Sequence, residues 1–423
     1  MKLSKKTVLF YSHGGGHTYL AMRLAEDFGR VLFYTPNRGL YPYPAIAVIG
    51  EGLPGLEVIH SFDDYIDQAD LFVFPYTGDG DIQRRLRAAG KRVFGSGTVE
   101  TLEQNRVLFK KTLADRGLPT APHKIFTGIE SLRKISQVDP GWWVKVYGEH
   151  STFRGLCETF FLDTYAKSAN RLDSMAVKLG CQRDTWPFLA EKPLPGFETG
   201  SDRFFSGGEV LTIGTYGFEL KNVGYVCKAT EVTKFPDHIQ AVNNAMAPIW
   251  SKFGLSGALS DEIRIHKGKP YCVDLTPRFG SPPGEIISRL YKNISEIIWA
   301  CAGGEPCTPE PIAKYAVSLN IKTHEAVLGD VPLTVKDKDL NKIMLKCACK
   351  IGNQIYNILN PMDDDDEEVA TAIGFGDVLE DAQAECLENC GLIDAPGINF
   401  PSDAFDALDE VIEQAKENGL GKF

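Results

Sequence analysis

The chain has 423 residues, enough for two to four compact units, and its 45 Lys and Arg against 56 Asp and Glu give a formal net charge of −11. That acidic balance leaves no electrostatic footprint for a phosphate backbone, so nucleic acid is not indicated, while a small anion in a locally basic groove stays open. No run approaches the ~18 apolar residues that span a bilayer, and the apolar stretch after Lys5 and Lys6 is too short for a signal-peptide core, so no membrane partner and a cytoplasmic location are expected.

Residues 7–11 read as a buried strand, followed by the turn Ser12-His13-Gly14-Gly15-Gly16 and a helix over 18–28 carrying Leu20, Met22 and Leu24. Strands over 31–35, 71–74 and 92–94, with a helix over 81–89, continue a βαβ rhythm that predicts a doubly wound N-terminal domain over 1–97. A glycine turn opening a helix suits a phosphate or carboxylate. His13 and His17 are four apart, but across a turn, so hydrogen bonding to substrate or helix capping by Thr18 is expected there instead of a metal pair.

Residues 98–116 read as one helix stopped by Gly117-Leu118-Pro119. Residues 142–146 read as a strand, 148–155 as a loop, 211–215 and 225–228 as strands, and 239–253 as a helix ended by Gly254. A hairpin follows, with strands over 258–265 and 271–275 about the turn His266-Lys267-Gly268-Lys269. Beyond about 310 the texture changes: strands over 314–321 and 354–359, an acidic run over 363–368 read as a solvated loop, and helices over 378–388 and 403–417. Ten cysteines without a C-x-x-C pair read as reduced, buried thiols.

The hairpin carries the most chemistry. Alternation puts Glu262 and Arg264 on one face of their strand, and Asp274, Thr276 and Arg278 on one face of theirs. Antiparallel pairing would bring these faces together. A solvated sheet face with cross-strand ion pairs would account for Glu262, Arg264 and Asp274. It would not account for the adjoining run Phe279-Gly280-Ser281-Pro282-Pro283-Gly284, which reads as backbone close to a bound group. A hard cation such as Mg²⁺ wants one or two protein carboxylates and leaves its other positions to phosphate and water, a need that Glu262 and Asp274 meet. Lys145 on a strand, then a Gly/Ser/Thr loop containing Arg154, suits a triphosphate. The segment 189–198 reads equally as a nucleotide hinge and as a linker.

In order and spacing these segments resemble the ATP-grasp superfamily, and within it phosphoribosylamine–glycine ligase. Leu102-Glu103-Gln104-Asn105-Arg106 through Arg116-Gly117-Leu118-Pro119-Thr120-Ala121 looks like that family's helix and its "GIPTA" exit. Val144-Lys145 with its loop looks like "VVKADGLAAGKG", and Val273-Asp274-Leu275-Thr276-Pro277-Arg278-Phe279-Gly280 looks like "LEFNCRFGDPE". The resemblance implies an α/β ATP-grasp fold: the N-terminal domain, an ATP-grasp domain over 98–310 with a mobile lid about 122–190, and a small C-terminal α+β domain over 311–423. It implies ATP with Mg²⁺ or Mn²⁺ as cofactors. Arg106, Lys145, Ser151, Thr152 and Arg154 would contact phosphates, Glu191 and Lys192 would lie at the adenine hinge, whose backbone groups could meet the base, and Glu198 would be the ribose acid. Glu262, Asp274 and Thr276 fall on the family's metal positions, where Glu, Glu and Asn are usual, and Arg278 on the arginine that holds the acyl- or γ-phosphate. Lys145, Arg154 and Arg278 would carry the catalysis, and Ser12, His13, Gly14, Gly15, Gly280 and Ser281 would hold substrate. The substrate segments depart from the family pattern, so a carboxylate–amine pair other than phosphoribosylamine and glycine is expected, including an amino acid or a nucleotide-like amine. The expected activity is an ATP-dependent carboxylate–amine ligase working through an acyl-phosphate. A kinase-like phosphotransferase and a non-catalytic nucleotide-binding paralogue are the alternatives.

Overall fold

A computed structural model describes residues 2–36, 46–146, 159–360, 366–421 and 423. The N-terminal unit is a parallel sheet of β1 (Thr7–Tyr11), β2 (Arg30–Tyr34), β3 (Leu56–Val58), β4 (Leu71–Val73) and β5 (Val93–Phe94), in the order β3-β2-β1-β4-β5. Its strands are apolar on both faces because both faces are covered. Val8, Phe10 and Phe33 pack with Leu20 and Leu24 of α1 (Thr18–Ala25), whereas Leu9, Leu32 and Phe72 pack with Leu86 of α2 (Gly80–Ala88). The edge strand β3, only half-buried, escapes a reading based on apolar runs.

The helix expected over 98–116 is two. α3 (Glu100–Gln104) ends at Asn105, which leaves helical geometry at φ −116° and ψ 86°. The Asn105 side chain then accepts the Leu108 amide at 2.9 Å and starts α4 (Arg106–Asp115), the N-cap use to which asparagine is suited.

A small antiparallel sheet follows, β6 (His123–Thr127), β7 (Trp142–Val146), β8 (Thr159–Leu162) and β9 (Pro187–Glu191), in the order β6-β9-β7-β8. Helices α5 (Ile129–Val138) and α6 (Tyr165–Leu179) cover one face, where Trp142, Val144, Phe160 and Phe188 meet Leu132, Leu172 and Met175. The opposite face is left open and carries Trp143, Phe161 and Ile125, all exposed.

The central sheet contains β10 (Phe197–Ser206), β11 (Glu209–Val210), β12 (Ile213–Leu220), β13 (Gly224–Glu231), β14 (Gly257–His266) and β15 (Lys269–Thr276), backed by α7 (Asp237–Phe253). Odd-numbered residues of β14, Leu259, Ile263 and Ile265, pack against Ile239, Val242 and Met246 of α7, which leaves the even-numbered residues for the other face. Helices α8 (Pro283–Leu290) and α9 (Ile294–Gly303) follow the hairpin. The sheet continues through β16 (Tyr315–Lys322), which pairs with β13, so the segment beyond 310 extends the central sheet.

Buried between the sheet and α7 is the ion pair Arg203–Asp261, whose carboxylate also accepts the Ser201 amide and hydroxyl at 2.9 Å each. Both partners are almost inaccessible, so removing one leaves a buried charge uncompensated. Arg203→Ala is expected to cost about 3 to 5 kcal/mol of unfolding free energy, read by urea denaturation.

Candidate active site

The β14–β15 hairpin sets the site through its register. Ser260 lies opposite Thr276, Glu262 opposite Asp274, Ile263 opposite Cys272, so Val273 is an extra residue, a β-bulge. The bulge keeps Asp274 and Thr276 on the face shared by Ser260 and Glu262. It also takes the Val273 carbonyl out of the ladder, and that carbonyl accepts from Lys145 Nζ at 2.6 Å. Lys145 reaches it from the open face of the small sheet and stands 3.8 Å from Asp274 and 3.5 Å from Glu191.

A cavity of about 190 Å³ lies on this face, bordered by Arg106, Glu198, Glu262, Asp274, Thr276 and Arg278, with Gly280 and Ser281 at one end. Of the sequence-derived residues, these eight are brought together. Asp274 is ion-paired with Arg106 at the start of α4. Glu198 pairs with Arg264 and with Lys221 at 2.6 Å. Arg278 pairs with Glu103 at 3.2 Å and lies over the Tyr76 ring at 4.8 Å.

The two facing carboxylates are pushed apart in proton affinity. Glu262 is raised above the usual carboxylate range, first by desolvation at the cavity wall and then by the charges of Asp274 and Glu198. Glu262 is nonetheless an exposed residue, so water tempers that desolvation, and the direction of the shift stands on repulsion from Asp274 directly opposite. Asp274 moves the opposite way: burial would raise it, but Arg106 and Lys145 outweigh burial and hold it well below the usual carboxylate range. Burial likewise pushes up Glu191, and Lys145 and Lys110 outweigh it, the latter at 2.7 Å.

Other expected positions do not border this cavity. The Lys192 side chain turns to the helix-covered side of the small sheet, where it meets Asp139 at 2.9 Å and lies 3.9 Å from the Trp142 ring centroid, because neighbouring strand residues face opposite ways. Ser12, His13, Gly14 and Gly15 form a buried turn at the carboxyl end of β1, with His13 Nδ1 3.3 Å from Asp79. The Gly14 and Gly15 carbonyls accept from Cys347 Sγ at 3.5 Å and Cys347 N at 3.2 Å. Thr18 does not cap α1: its hydroxyl donates to the Leu345 carbonyl at 2.8 Å, and His17 occupies the cap without a side-chain bond. Ser151, Thr152 and Arg154, and the first half of the acidic run over 363–368, lie outside the described residues, while Glu368 begins a strand and pairs with Lys346 at 2.6 Å.

Sequence reasoning missed Glu103, Asp202, Tyr225 and Ser260, all on the cavity wall. Ser260 and Asp202 were open to the alternation argument already applied to Glu262, since Glu198, Gly200 and Asp202 recur at period two. The glycine and polar residues of 198–203 hid the strand.

The sequence matches no protein-family model and no curated protein. Solved structures do match the fold. Phosphoribosylamine–glycine ligase from Thermotoga maritima superposes with a TM-score of 0.70 at 16% identity, covering 94% of this chain and 99% of that one. The biotin carboxylase domain of 2-oxoglutarate carboxylase from Hydrogenobacter thermophilus, in complex with MgADP, ADP and bicarbonate, matches at 0.64 and 13%, covering 96% and 98%. L-amino acid ligase from Bacillus licheniformis matches at 0.60 and 12%, covering 94% and 99%. The chain has the ATP-grasp fold, α/β with a parallel N-terminal sheet and antiparallel sheets beyond it. Among the described residues no helix is long and apolar enough to cross a membrane.

Proposed function

We propose that this chain is an ATP-dependent carboxylate–amine ligase that forms an amide through an acyl-phosphate. The observation that carries the reading is the meeting of Glu262 and Asp274 across one antiparallel pair, with Lys145 reaching them from a second sheet. Lys145 brings the small sheet against the central sheet beside the polar cavity. The open face of the small sheet offers Trp143, Phe161 and Ile125 to a flat base, and the central sheet offers carboxylates and guanidiniums to ribose and phosphates. The likeness to nucleotide-bound and ligase structures supports the same reading.

The donor set fits a magnesium ion. Among the described residues no cluster of three or more His, Cys, Asp or Glu is arranged to hold a metal, so an all-protein cage is not the expectation. Glu262 and Asp274, two mutually repelling carboxylates with the Thr276 hydroxyl one step along, are the one-or-two-carboxylate set that Mg²⁺ uses beside phosphate and water. When bound there, the ion would neutralise phosphate charge. The chain's own residues do the rest. Lys145 holds the phosphates, Glu198 the ribose, and Arg278 offsets the charge that develops on the transferred group. A substrate carboxylate oxygen attacks the γ-phosphorus as the bond to the β–γ bridging oxygen breaks and ADP leaves. An amine nitrogen then attacks the acyl carbon, phosphate leaves, and the amine proton passes to phosphate or solvent.

The test is a panel of carboxylates and amines, scored for ADP release with Mg²⁺. The expected result is ADP release requiring both a carboxylate and an amine, abolished by EDTA and restored by Mg²⁺ or Mn²⁺. A stable phosphorylated product formed without any amine would replace the ligase reading with a phosphotransferase. ATP binding without ADP across the panel would replace it with a non-catalytic nucleotide-binding protein.

A further inference from the structure

Charge pairing singles out two of the six acidic side chains on the cavity face, Asp261 turning its carboxylate to the α7 side. The other four meet Arg106, Arg264, Arg278 or Lys221, whereas Glu262 and Asp202 have no ion pair among the described residues. Glu262 belongs to the metal pair. Asp202 is 3% exposed and held only by hydroxyls: Ser260 donates to Oδ1, while Tyr225 and Thr215 donate to Oδ2 at 3.1 and 3.3 Å. A carboxylate satisfied by neutral neighbours could be a structural device, but three dipoles leave its charge uncancelled, and a buried charge without a counter-ion is costly. Burial pushes its carboxyl up to about 6, with the nearby Asp261 adding to the shift.

Its position says what the missing counter-ion is. Three rows cross the central sheet on the cavity face. Glu198 lies opposite Arg264; Gly200, Glu262 and Asp274 form the next row; Thr215, Asp202, Ser260 and Thr276 form the third. Asp202 is therefore beyond the phosphate-binding row, on the far side from Glu198. Rows two residues apart are separated by about 7 Å along the strand. In an α-amino acid the ammonium nitrogen lies about 3 Å from a carboxylate oxygen, and a hydrogen bond adds about 3 Å. The two lengths together span one row.

We propose that Asp202 determines specificity for the carboxylate substrate, which is an ammonium-bearing carboxylate of the α-amino-acid type, its ammonium held by Asp202 and its carboxylate lying at the Glu262–Asp274 row. This rests on the ligase reading and deepens it. An ammonium held against Asp202 keeps its proton and is not a nucleophile, so the attacking amine belongs to the second substrate.

The test uses the full chain with ATP and Mg²⁺, hydroxylamine as a common acceptor, and hydroxamate formation as the readout. The probes are the twenty standard amino acids in both enantiomeric forms, with glycolate, lactate and the other matching 2-hydroxy acids. ATP affinity is measured separately by calorimetry. The expected result is hydroxamate from at least one amino acid, with kcat/KM about 100-fold or more below it for the 2-hydroxy counterpart, because a site built around a charge is left unpaired by the analogue. Asp202→Asn is expected to lose about 100-fold for the amino acid, mainly in KM, to change the 2-hydroxy acid little, and to leave the ATP Kd within about 3-fold. A merely structural role would lower both substrates alike. Should the variant fail to fold, the wild-type discrimination still decides. Equal use of the 2-hydroxy acid, or ATP binding with no hydroxamate from any amino acid, overturns the inference and leaves the nucleotide site standing. Failure of ATP itself to bind overturns the ligase reading instead.

Discussion

Asp274→Asn is expected to release ADP about 10³-fold more slowly than the wild type while unfolding at a similar denaturant concentration. The substitution keeps the side chain's size and its bond from the Leu275 amide at 2.7 Å, so the bulged strand retains its shape. What disappears is one of two carboxylates, and with it the charge that pairs with Arg106 and stands 3.8 Å from Lys145. Arg106 then loses its pairing with Asp274, and Glu262 is left as the remaining carboxylate of the metal pair. A divalent ion bound by one carboxylate and an amide is held less tightly, so the Mg²⁺ concentration for half-maximal activity should rise along with the loss in kcat. ADP release at the wild-type rate in this variant would remove Asp274 from the chemistry altogether, and the reading of the hairpin as a phosphate-transfer site with it.

The hairpin was legible because its information is local. Alternation at 260–264 and 274–278 is a property of consecutive residues, and a two-strand turn brings the faces together without help from distant sequence. The bulge at Val273 left no mark on that pattern, since a bulge is a mismatch between two strands and is visible only in their register. The parallel N-terminal sheet was legible for a different reason: strands buried on both faces are continuous apolar runs. Of the small sheet only the strand over 142–146 was legible; its partners and strand 197–206 were not, because the faces turned away from the helices carry His123, Glu191, Glu198 and Asp202, polar residues that are poor indicators of strand. Lys192 illustrates the same limit. It adjoins Glu191, so a resemblance read residue by residue assigns both to the nucleotide, yet strand geometry sends the two side chains to opposite faces.

Lys145 couples the two sheets, and its loss should be felt twice. The ammonium reaches the Val273 carbonyl at 2.6 Å from one sheet while its own strand belongs to the other, and the buried Glu191 carboxylate 3.5 Å away depends on it together with Lys110. Lys145→Ala should therefore raise KM for ATP and lower kcat/KM by about 10³-fold, because phosphate charge loses its nearest compact cation. Among the described residues Glu191 then keeps Lys110 alone, so unfolding free energy should fall by about 2 kcal/mol. Lys145→Arg should not restore the activity: a planar guanidinium cannot occupy a point-charge position between a bulged carbonyl and two carboxylates with the same geometry. The two effects separate on measurement, since a neutral, shape-matched Lys145→Met should repeat the kinetic loss and, by filling the stem's volume, part of the stability should return. Full activity in the methionine variant would mean that the positive charge is not used on phosphate, and the lysine would then be no more than a strut between the sheets.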